Sequence, residues 1–187
     1  MSVKEKKRGR PSGSNKQLSQ KSIMMMAKEL MKSEGKIPSI RKLATHLNVD
    51  AMAIYYYFSN KNALLEAITV SLIEEIHQPK EQTDWQDELH LLCVSYLRLL
   101  NTYTGLLETL LSMTSQGPAD IFTERFSIII EPLELDNRAK KNALDLLADY
   151  LHGFALALHC NPSHELDISE YIKGPLNFYC LALKYSH

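Results

Sequence analysis

The chain has 187 residues, 45% of them hydrophobic and 23% charged, which is the composition of an ordinary soluble globular protein. It has neither an apolar run long enough to cross a bilayer nor the apolar segment of a secretory signal, so we expect no membrane span and no export. The net charge of −1 hides a division, because residues 1–62 carry a balance of +9 (13 Lys or Arg, 4 Asp or Glu) and residues 63–187 a balance of −10.

A basic end on an acidic body is typical of proteins that bind nucleic acid through that end; the alternative is a basic tail that only aids solubility. Residues 1–15 are rich in charge, Gly, Pro and Ser, which predicts a disordered arm. Within it, the segment KRGRP at 7–11 resembles an AT-hook core. Arg8 and Arg10 would then lie in a narrow A·T-rich minor groove, unless the arm only touches phosphates without sequence preference.

Two helices are predicted after the arm. The first covers residues 16–35, and Gly35 is a fitting stop. The second begins after Ser39, which can cap its first turn, and ends at Asn48, a residue that tolerates the left-handed conformation of a tight turn. The apolar side chains of the second helix fall on one face: Ile40, Leu43, Ala44 and Leu47.

A third helix is predicted from Asp50, with Ile54 and Phe58 directed inward. Two short helices that share an apolar face across a tight turn form a helix-turn-helix, in which the later helix reads the DNA groove. Three successive tyrosines cannot all be buried, because neighbours on a helix point about 100° apart. The exposed candidates on this recognition helix are Asp50, Ala51, Met52, Ala53, Tyr56 and Tyr57.

Two basic side chains flank the recognition helix in sequence. Arg41 lies one turn into the second helix, where its guanidinium can bond a guanine bidentately or hold a phosphate; the alternative is a solvated surface charge. Lys61 follows Asn60, the predicted cap of a fourth helix. Because a helix N-terminus offers unpaired amides to a phosphate, we expect Lys61 to clamp the DNA backbone.

The order and spacing of these elements are similar to the DNA-binding signature of the TetR family of repressors. The runs that carry the resemblance are IRKLATHLNV at 40–49, IYYYF at 54–58 and NKNALL at 60–65. One departure is Asn48, where the family usually has Gly. The resemblance implies that Tyr55 and Tyr57 give hydroxyls to phosphates and that Tyr56 reaches toward bases, although one of the three, most readily Tyr55, could instead be a packing ring.

The candidate DNA-binding residues are therefore the arm arginines Arg8 and Arg10 together with Ser39, Arg41, Asp50, Ala51, Met52, Tyr55, Tyr56, Tyr57 and Lys61.

The fourth helix is predicted to run to Ile76 and to join the DNA-binding end to the body. The predicted division is a helix-turn-helix domain at 16–62, a linking helix at 63–79 and a ligand-binding and dimerisation domain at 80–187. The body is helical by apolar spacing, so we expect an all-α protein with about nine helices. Its predicted helices cover residues 84–103, a short stretch after Gly105, 119–130 after a turn at 116–118, 136–160 and 168–185.

Two features of the last helices bear on assembly. The helix from Asp136 is apolar on two faces and needs partners on both sides, and Gly153 within it predicts a close backbone approach. Gly174-Pro175 should kink or break the final helix. In the family that the chain resembles, the last two long helices pair across a two-fold axis. A homodimer also follows from DNA reading, since one recognition helix covers only a few base pairs of a palindromic site.

The sequence contains no metal-binding spacing, Gly-rich phosphate loop or nucleophile motif, so we predict no enzyme activity, metal or cofactor. The three cysteines fit buried free thiols in a reducing cytoplasm. The resemblance implies an apolar pocket in the body for a small effector, although leucine and aromatic stripes are also typical of plain core. The candidate ligand-binding residues are Tyr96, Leu99, Tyr103, Leu110, Met113, Phe122, Phe126, Leu147 and Tyr150.

These patterns favour a cytoplasmic, sequence-specific regulator that binds double-stranded DNA as a homodimer. By resemblance, we expect a repressor released from a palindromic operator by a small apolar or amphipathic molecule. Two alternatives stay open at this point. One is a DNA-binding regulator that senses no small molecule, and the other is a helical protein–protein adaptor whose basic arm is incidental.

Overall fold

The protein is all-α, as predicted. The computed structural model describes residues 18–80, 83–113, 117–160 and 167–186, and within these ranges it has nine α-helices and no strand. The basic arm, with Arg8 and Arg10, lies outside the described residues. The helices are α1 (Gln20–Glu34), α2 (Ile40–Leu47), α3 (Ala51–Tyr55), α4 (Lys61–Ile73), α5 (Trp85–Thr102), α6 (Leu106–Ser112), α7 (Gly117–Ile130), α8 (Asn137–Cys160) and α9 (Ile168–Lys184), with a 3-10 turn at Glu131–Leu133 between α7 and α8.

Helix α1 begins at Gln20, later than the predicted start at residue 16. A reciprocal capping box sets this boundary, because the Ser19 amide donates to Ser22 Oγ (2.9 Å) and the Ser22 amide donates to Ser19 Oγ (3.1 Å). At its other end the predicted stop is confirmed, since Gly35 adopts a left-handed conformation with φ of 67°. The inner face of α1 packs on α2 and α4 through fully buried side chains such as Ile23 and Ala27.

Helix α4 connects the first three helices to the body, because it packs on both α1 and α7. It ends at Ile73 rather than at Ile76, and the next residues form a turn. Arg125 of α7 reaches this end: its guanidinium donates to the carbonyl oxygens of Ile76 (2.5 Å) and Glu74 (3.1 Å). The arginine therefore caps carbonyl groups that a helix terminus leaves without an intrahelical partner. The domain bounds at 62 and 79 stay predictions.

The turn predicted at 116–118 is wrong for its last two residues, because Gly117 and Pro118 already belong to α7. Proline fits there since its fixed φ suits a first helical turn, where its missing N–H would have no intrahelical partner. Residue 116 lies outside the described ranges.

The predicted break in the last helix is also wrong. Pro175 lies inside α9, which runs continuously from Ile168 to Lys184. A proline removes one intrahelical hydrogen bond, and we attribute the continuity to packing of α9 on α5, which buries Ile172 and Leu176. Gly153 makes no close backbone approach within the protomer either: a methyl group at this position would meet no atom within 4 Å, because it lies on the exposed side of α8.

Candidate nucleic-acid interface and ligand pocket

Three local interactions fix the ends of α2 and the start of α3; the cap at Ser39, the stop at Asn48 and the start of the third helix at Asp50 were predicted. Ser39 Oγ accepts from the Lys42 amide at 3.2 Å, and Asp50 Oδ1 accepts from the Met52 amide at 2.7 Å. Asn48 has φ of 53° and ψ of 46°, the left-handed conformation expected of it. The side-chain oxygens of Ser39 and Asp50 are therefore already engaged in holding the two helix starts.

Helix α3 presents one side to solvent. Its inward residues, Ile54 and Phe58, are buried as predicted. On the outer side Met52 is 71% exposed and Tyr56 is 86% exposed, although large apolar side chains usually avoid water. The two alanines, Ala51 and Ala53, are only half-buried, so the backbone of α3 can approach a surface closely.

The tyrosine that packs inward is Tyr57, so the expectation that it would be Tyr55 is wrong. The Tyr57 hydroxyl donates to the Leu18 carbonyl oxygen at 2.6 Å, and Gln20 Nε2 donates to the Tyr57 carbonyl oxygen at 3.3 Å. Tyr57 follows the buried Ile54 by three residues, which places it on the inner side of the turn. Tyr55 is 41% exposed.

The basic side chains near α3 differ in how they are paired. Lys42 Nζ lies 2.5 Å from Glu34 Oε2 and is partly neutralised. Arg41 and Lys61 are exposed, and within the described part of the chain neither side chain has an ion pair or hydrogen-bond partner. Lys61 is the first residue of α4, which Asn60 caps through a 2.9 Å bond from the Ala63 amide. An exposed helix end with an unpaired lysine is suited to binding a phosphate.

The body contains a pocket of about 280 Å³ between α4, α5, α6, α7 and α8. Four of the nine predicted ligand-binding residues line it: Tyr96, Leu110, Met113 and Phe122. The other five lie elsewhere. Leu99 and Phe126 are buried in the core, Tyr103 is half-buried at the end of α5, and Leu147 and Tyr150 line a separate pocket between α8 and α9.

Sequence reasoning missed the α8 side of the pocket. Four residues of that helix line it, and they recur at the spacing of a single helix face: Leu144, Asp145, Ala148 and His152. Helix α8 is apolar on two sides. The sequence-based prediction took Leu147 and Tyr150 from the side that does not line this pocket. The remaining missed residues are Ile73 at the end of α4, Leu111 of α6, and Pro118, Ala119 and Thr123 of α7.

One polar pair lies within the apolar wall of the pocket. The hydroxyl of Tyr96 and Nε2 of His152 are 2.9 Å apart, and the Phe122 ring lies 4.9 Å from the Tyr96 ring, centroid to centroid. Burial lowers the pKa of His152 and raises the pKa of Tyr96 well above its ordinary value. Both groups are therefore neutral at pH 7.

A second polar cluster fixes the connection between α4 and α5. Glu88 is 3% exposed, and its Oε2 accepts from His77 Nε2 at 2.6 Å and from the Lys80 amide at 3.0 Å. Burial raises the pKa of the Glu88 carboxyl, but these hydrogen bonds outweigh that effect and the net shift is downward. The carboxylate is therefore a structural anchor for residues 77–80.

The three cysteines are free thiols, but Cys160 is exposed, whereas Cys93 and Cys180 are buried as expected. The described residues also offer no metal site. They contain no group of three or more His, Cys, Asp or Glu side chains that could hold a metal ion. None of the helices in the described ranges combines the length and the hydropathy needed to span a bilayer.

These features define the class of helix-turn-helix proteins: an exposed helix-turn-helix with unpaired basic side chains on its flanking helices, joined through one helix to a body with an apolar pocket. Residues 26–68 match the family described as bacterial regulatory proteins, tetR family. The tetracycline repressor protein class G of Vibrio anguillarum is 38% identical over 66 residues, which are 34% of this chain and 31% of that repressor. The matched stretch thus spans less than half the length of the curated relatives.

Solved structures extend the likeness to the whole described fold. The TetR family protein ActR of Streptomyces coelicolor, in complex with actinorhodin, has a TM-score of 0.73 at 19% identity, over 90% of this chain and 96% of that one. BioQ with its double-stranded DNA operator has a TM-score of 0.72 at 18% identity, over 90% and 99%. The sequence of residues 26–68 thus matches the tetR family, and the described chain shares the fold of these solved structures.

Proposed function

We propose that the protein is a sequence-specific DNA-binding transcriptional regulator, a homodimeric repressor in the cytoplasm and not an enzyme, whose hold on DNA is released by a small molecule. The observation that carries the proposal is the solvent-facing side of α3, where Met52 and Tyr56 are exposed, together with the unpaired side chains of Arg41 on α2 and Lys61 at the start of α4. Relatives named as tetracycline repressors and a structural neighbour bound to its operator support it.

The DNA contacts divide by chemistry. Arg41 and Lys61 would neutralise phosphates or, in the case of Arg41, bond a guanine edge. Met52 and Tyr56 would meet base edges, with the thioether against a thymine methyl. Five further residues would lie within reach of the DNA backbone: Ser39, Asp50, Ala51, Tyr55 and Tyr57. The side-chain oxygens of Ser39 and Asp50 already serve as helix caps, and the Tyr57 hydroxyl already donates to the Leu18 carbonyl oxygen.

The homodimer would form through α8 and α9, which leave a set of large apolar side chains exposed: Leu146, Leu156, Tyr171, Phe178 and Leu181. We name this set the α8–α9 apolar face. A monomer rarely exposes so many apolar residues on adjacent helices, and pairing with a second copy would bury them. Gly153 and Gly174 lie on the exposed sides of these helices with open space around them, which leaves room for a partner helix.

Ligand control would act through helices shared by the pocket and the DNA-binding end. Ile73, the last residue of α4, lines the pocket, while Arg125 of α7 holds the carbonyl oxygens just beyond it. A molecule that fits the pocket better in one arrangement of α4 and α7 shifts the population toward that arrangement. DNA affinity then falls by the ligand's preference between the two states.

The experiment is selection of bound duplex fragments from genomic DNA by the purified protein, followed by affinity measurement on the selected fragment and on a scrambled duplex. We expect to recover a palindromic site that the protein binds at least about 10³-fold more tightly than the scrambled duplex, which is the lower end of specific recognition. Equal affinity for both duplexes would remove the sequence-specific function, and no binding to either would favour the adaptor alternative.

A further inference from the structure

We propose that the pocket takes an uncharged, flat aromatic molecule of about two fused rings, with one hydroxyl or carbonyl group that hydrogen-bonds the Tyr96–His152 pair. The regulatory role of this ligand class rests on the proposed function, but binding of the ligand can be measured without DNA. The wall that surrounds the pair is mostly apolar, with Leu110, Phe122 and Ala148 among its members; Thr123 and Asp145 also line the pocket.

Among the residues that the structure describes, the pocket wall offers no countercharge to an anion. Within the described part of the chain, no Lys or Arg lines it. Burial keeps His152 neutral by lowering its pKa, so the imidazole is not a cation that could replace them. A carboxylate or phosphate would lose its hydration on entry without a compensating ion pair, which is a large unfavourable free energy.

The polar pair offers one donor and one acceptor, whichever histidine tautomer is present. If Tyr96 donates to His152 Nε2, then Nδ1–H is left as the donor and the phenol oxygen as the acceptor. If Nε2–H donates to the phenol oxygen, the Tyr96 O–H is left as the donor and Nδ1 as the acceptor. A neutral hydroxyl or carbonyl can satisfy this combination without any change of charge.

Asp145, the acidic residue among the lining residues that the structure describes, does not define the ligand as a cation. Its side chain is 55% exposed, and it forms an ion pair with Lys141 one turn earlier on α8. An exposed carboxylate that is already paired contributes little to the binding of a second charge, because water and the lysine screen it. Asp145 therefore lies at the rim of the pocket.

The size and the aromatic lining of the pocket indicate the size and shape of the apolar part of the ligand. Its volume of about 280 Å³ is nearly twice that of the engineered cavity of about 150 Å³ that accommodates benzene, which corresponds to two fused rings. The Tyr96 and Phe122 rings, 4.9 Å apart, provide aromatic surface for edge or offset contacts with a planar molecule.

Four naphthalene derivatives of similar size test the inference on the full-length protein. The probes are 2-naphthol, 2-naphthoate, 2-naphthylmethylammonium and naphthalene, titrated at pH 7 with calorimetry or the fluorescence of the probe. We expect 2-naphthol to bind at least about ten times more tightly than either charged probe. A preference for the anion or the cation, or no binding of 2-naphthol, would overturn the proposed ligand class.

The double variant Tyr96→Phe with His152→Leu tests the polar pair. Removing both partners together avoids leaving one buried group unsatisfied, so the fold should persist, and circular dichroism checks this. We expect the preference for 2-naphthol over naphthalene to fall about five- to tenfold, the value of one hydrogen bond. An unchanged preference in the folded variant would overturn the role of the pair.

The control variant is Glu124→Gln, which changes an exposed charge of α7 outside the pocket lining and should leave the affinity for 2-naphthol unchanged. A marked loss of 2-naphthol affinity in this variant would contradict the placement of the polar contact at Tyr96–His152. If the double variant fails to fold, the four-probe comparison on the wild-type protein still decides the charge class. A separate measurement of DNA binding tests the proposed function. Its failure can therefore be distinguished from failure of the proposed ligand class.

Discussion

A methyl group placed on Gly105 would lie 2.9 Å from the carbonyl oxygen of Gly35. Gly35 ends α1 of the DNA-binding end, and Gly105 precedes α6, which supplies Leu110 and Leu111 to the pocket. Both glycines have positive φ, 67° and 83° respectively. The end of α1 and the residue before α6 therefore meet at a close approach that leaves no room for a side chain at Gly105.

Replacement of Gly105 by Ala should destabilise the protein. The left-handed φ alone costs a residue with a side chain about 1–3 kcal/mol, and the Gly35 carbonyl leaves no room for the methyl group. Chemical denaturation measures the free energy of unfolding. Ser112→Ala, at the exposed end of α6, is the control and should change it by less than about 0.5 kcal/mol. A Gly105→Ala protein as stable as the control would mean that the contact carries no constraint.

The Arg41→Ala variant tests whether this residue reads a base. If the guanidinium bonds a guanine, the variant should lose about 1–3 kcal/mol of binding free energy on the selected site and less on a scrambled duplex. Titration of both duplexes at one salt concentration makes the comparison. Lys42→Ala, whose side chain is already paired with Glu34, serves as the control and should have a smaller effect. Equal losses on the two duplexes would assign Arg41 to the phosphate backbone.

Phe178→Asp tests the α8–α9 apolar face. Phe178 is 77% exposed in the protomer, so the substitution should not disturb the core, but a charge in the proposed dimer interface would be desolvated without a partner. We expect analytical ultracentrifugation to show a shift from dimer to monomer. Ile128→Asp removes an exposed apolar residue from α7 and should leave the dimer intact. Dissociation of both variants, or of neither, would contradict the proposed interface.

The buried carboxylate of Glu88 should give the protein an acid-sensitive contribution to stability. Its pKa is lowered in the folded state, because the hydrogen bonds from His77 and the Lys80 amide outweigh the effect of burial. This contribution is present above the ordinary carboxyl pKa and is lost as the pH falls through the lowered value. Urea unfolding across the acidic range should therefore show a flatter pH dependence for Glu88→Gln. An unchanged slope would mean that other carboxyls dominate.

Local chemistry explains why part of this structure could be predicted. The caps at Ser39 and Asp50 and the stops at Gly35 and Asn48 depend on residues within one turn, so the sequence contains the whole interaction. The continuity of α9 through Pro175 could not be predicted in this way. It depends on tertiary packing against α5, which overrides the local preference of proline.

The side of a helix that lines a pocket could not be predicted from the sequence either. Helix α8 is apolar on two sides, and periodicity alone does not distinguish the pocket side, with Leu144 and His152, from the side with Leu147 and Tyr150. Likewise, the three adjacent tyrosines at 55–57 do not indicate which of their rings packs inward. The inward position of Tyr57 follows from its contact with Leu18, a residue 39 positions away.

The salt dependence of duplex DNA binding by the wild-type protein and by Lys61→Ala shows whether the protein holds DNA through its phosphates. A protein that holds DNA through phosphates releases counterions, so the logarithm of its binding constant falls linearly with the logarithm of the salt concentration. The account predicts a steep slope for the wild type and a slope shallower by about one for Lys61→Ala, on all duplexes alike. A wild-type slope near zero, or no measurable binding to duplex DNA, would contradict it.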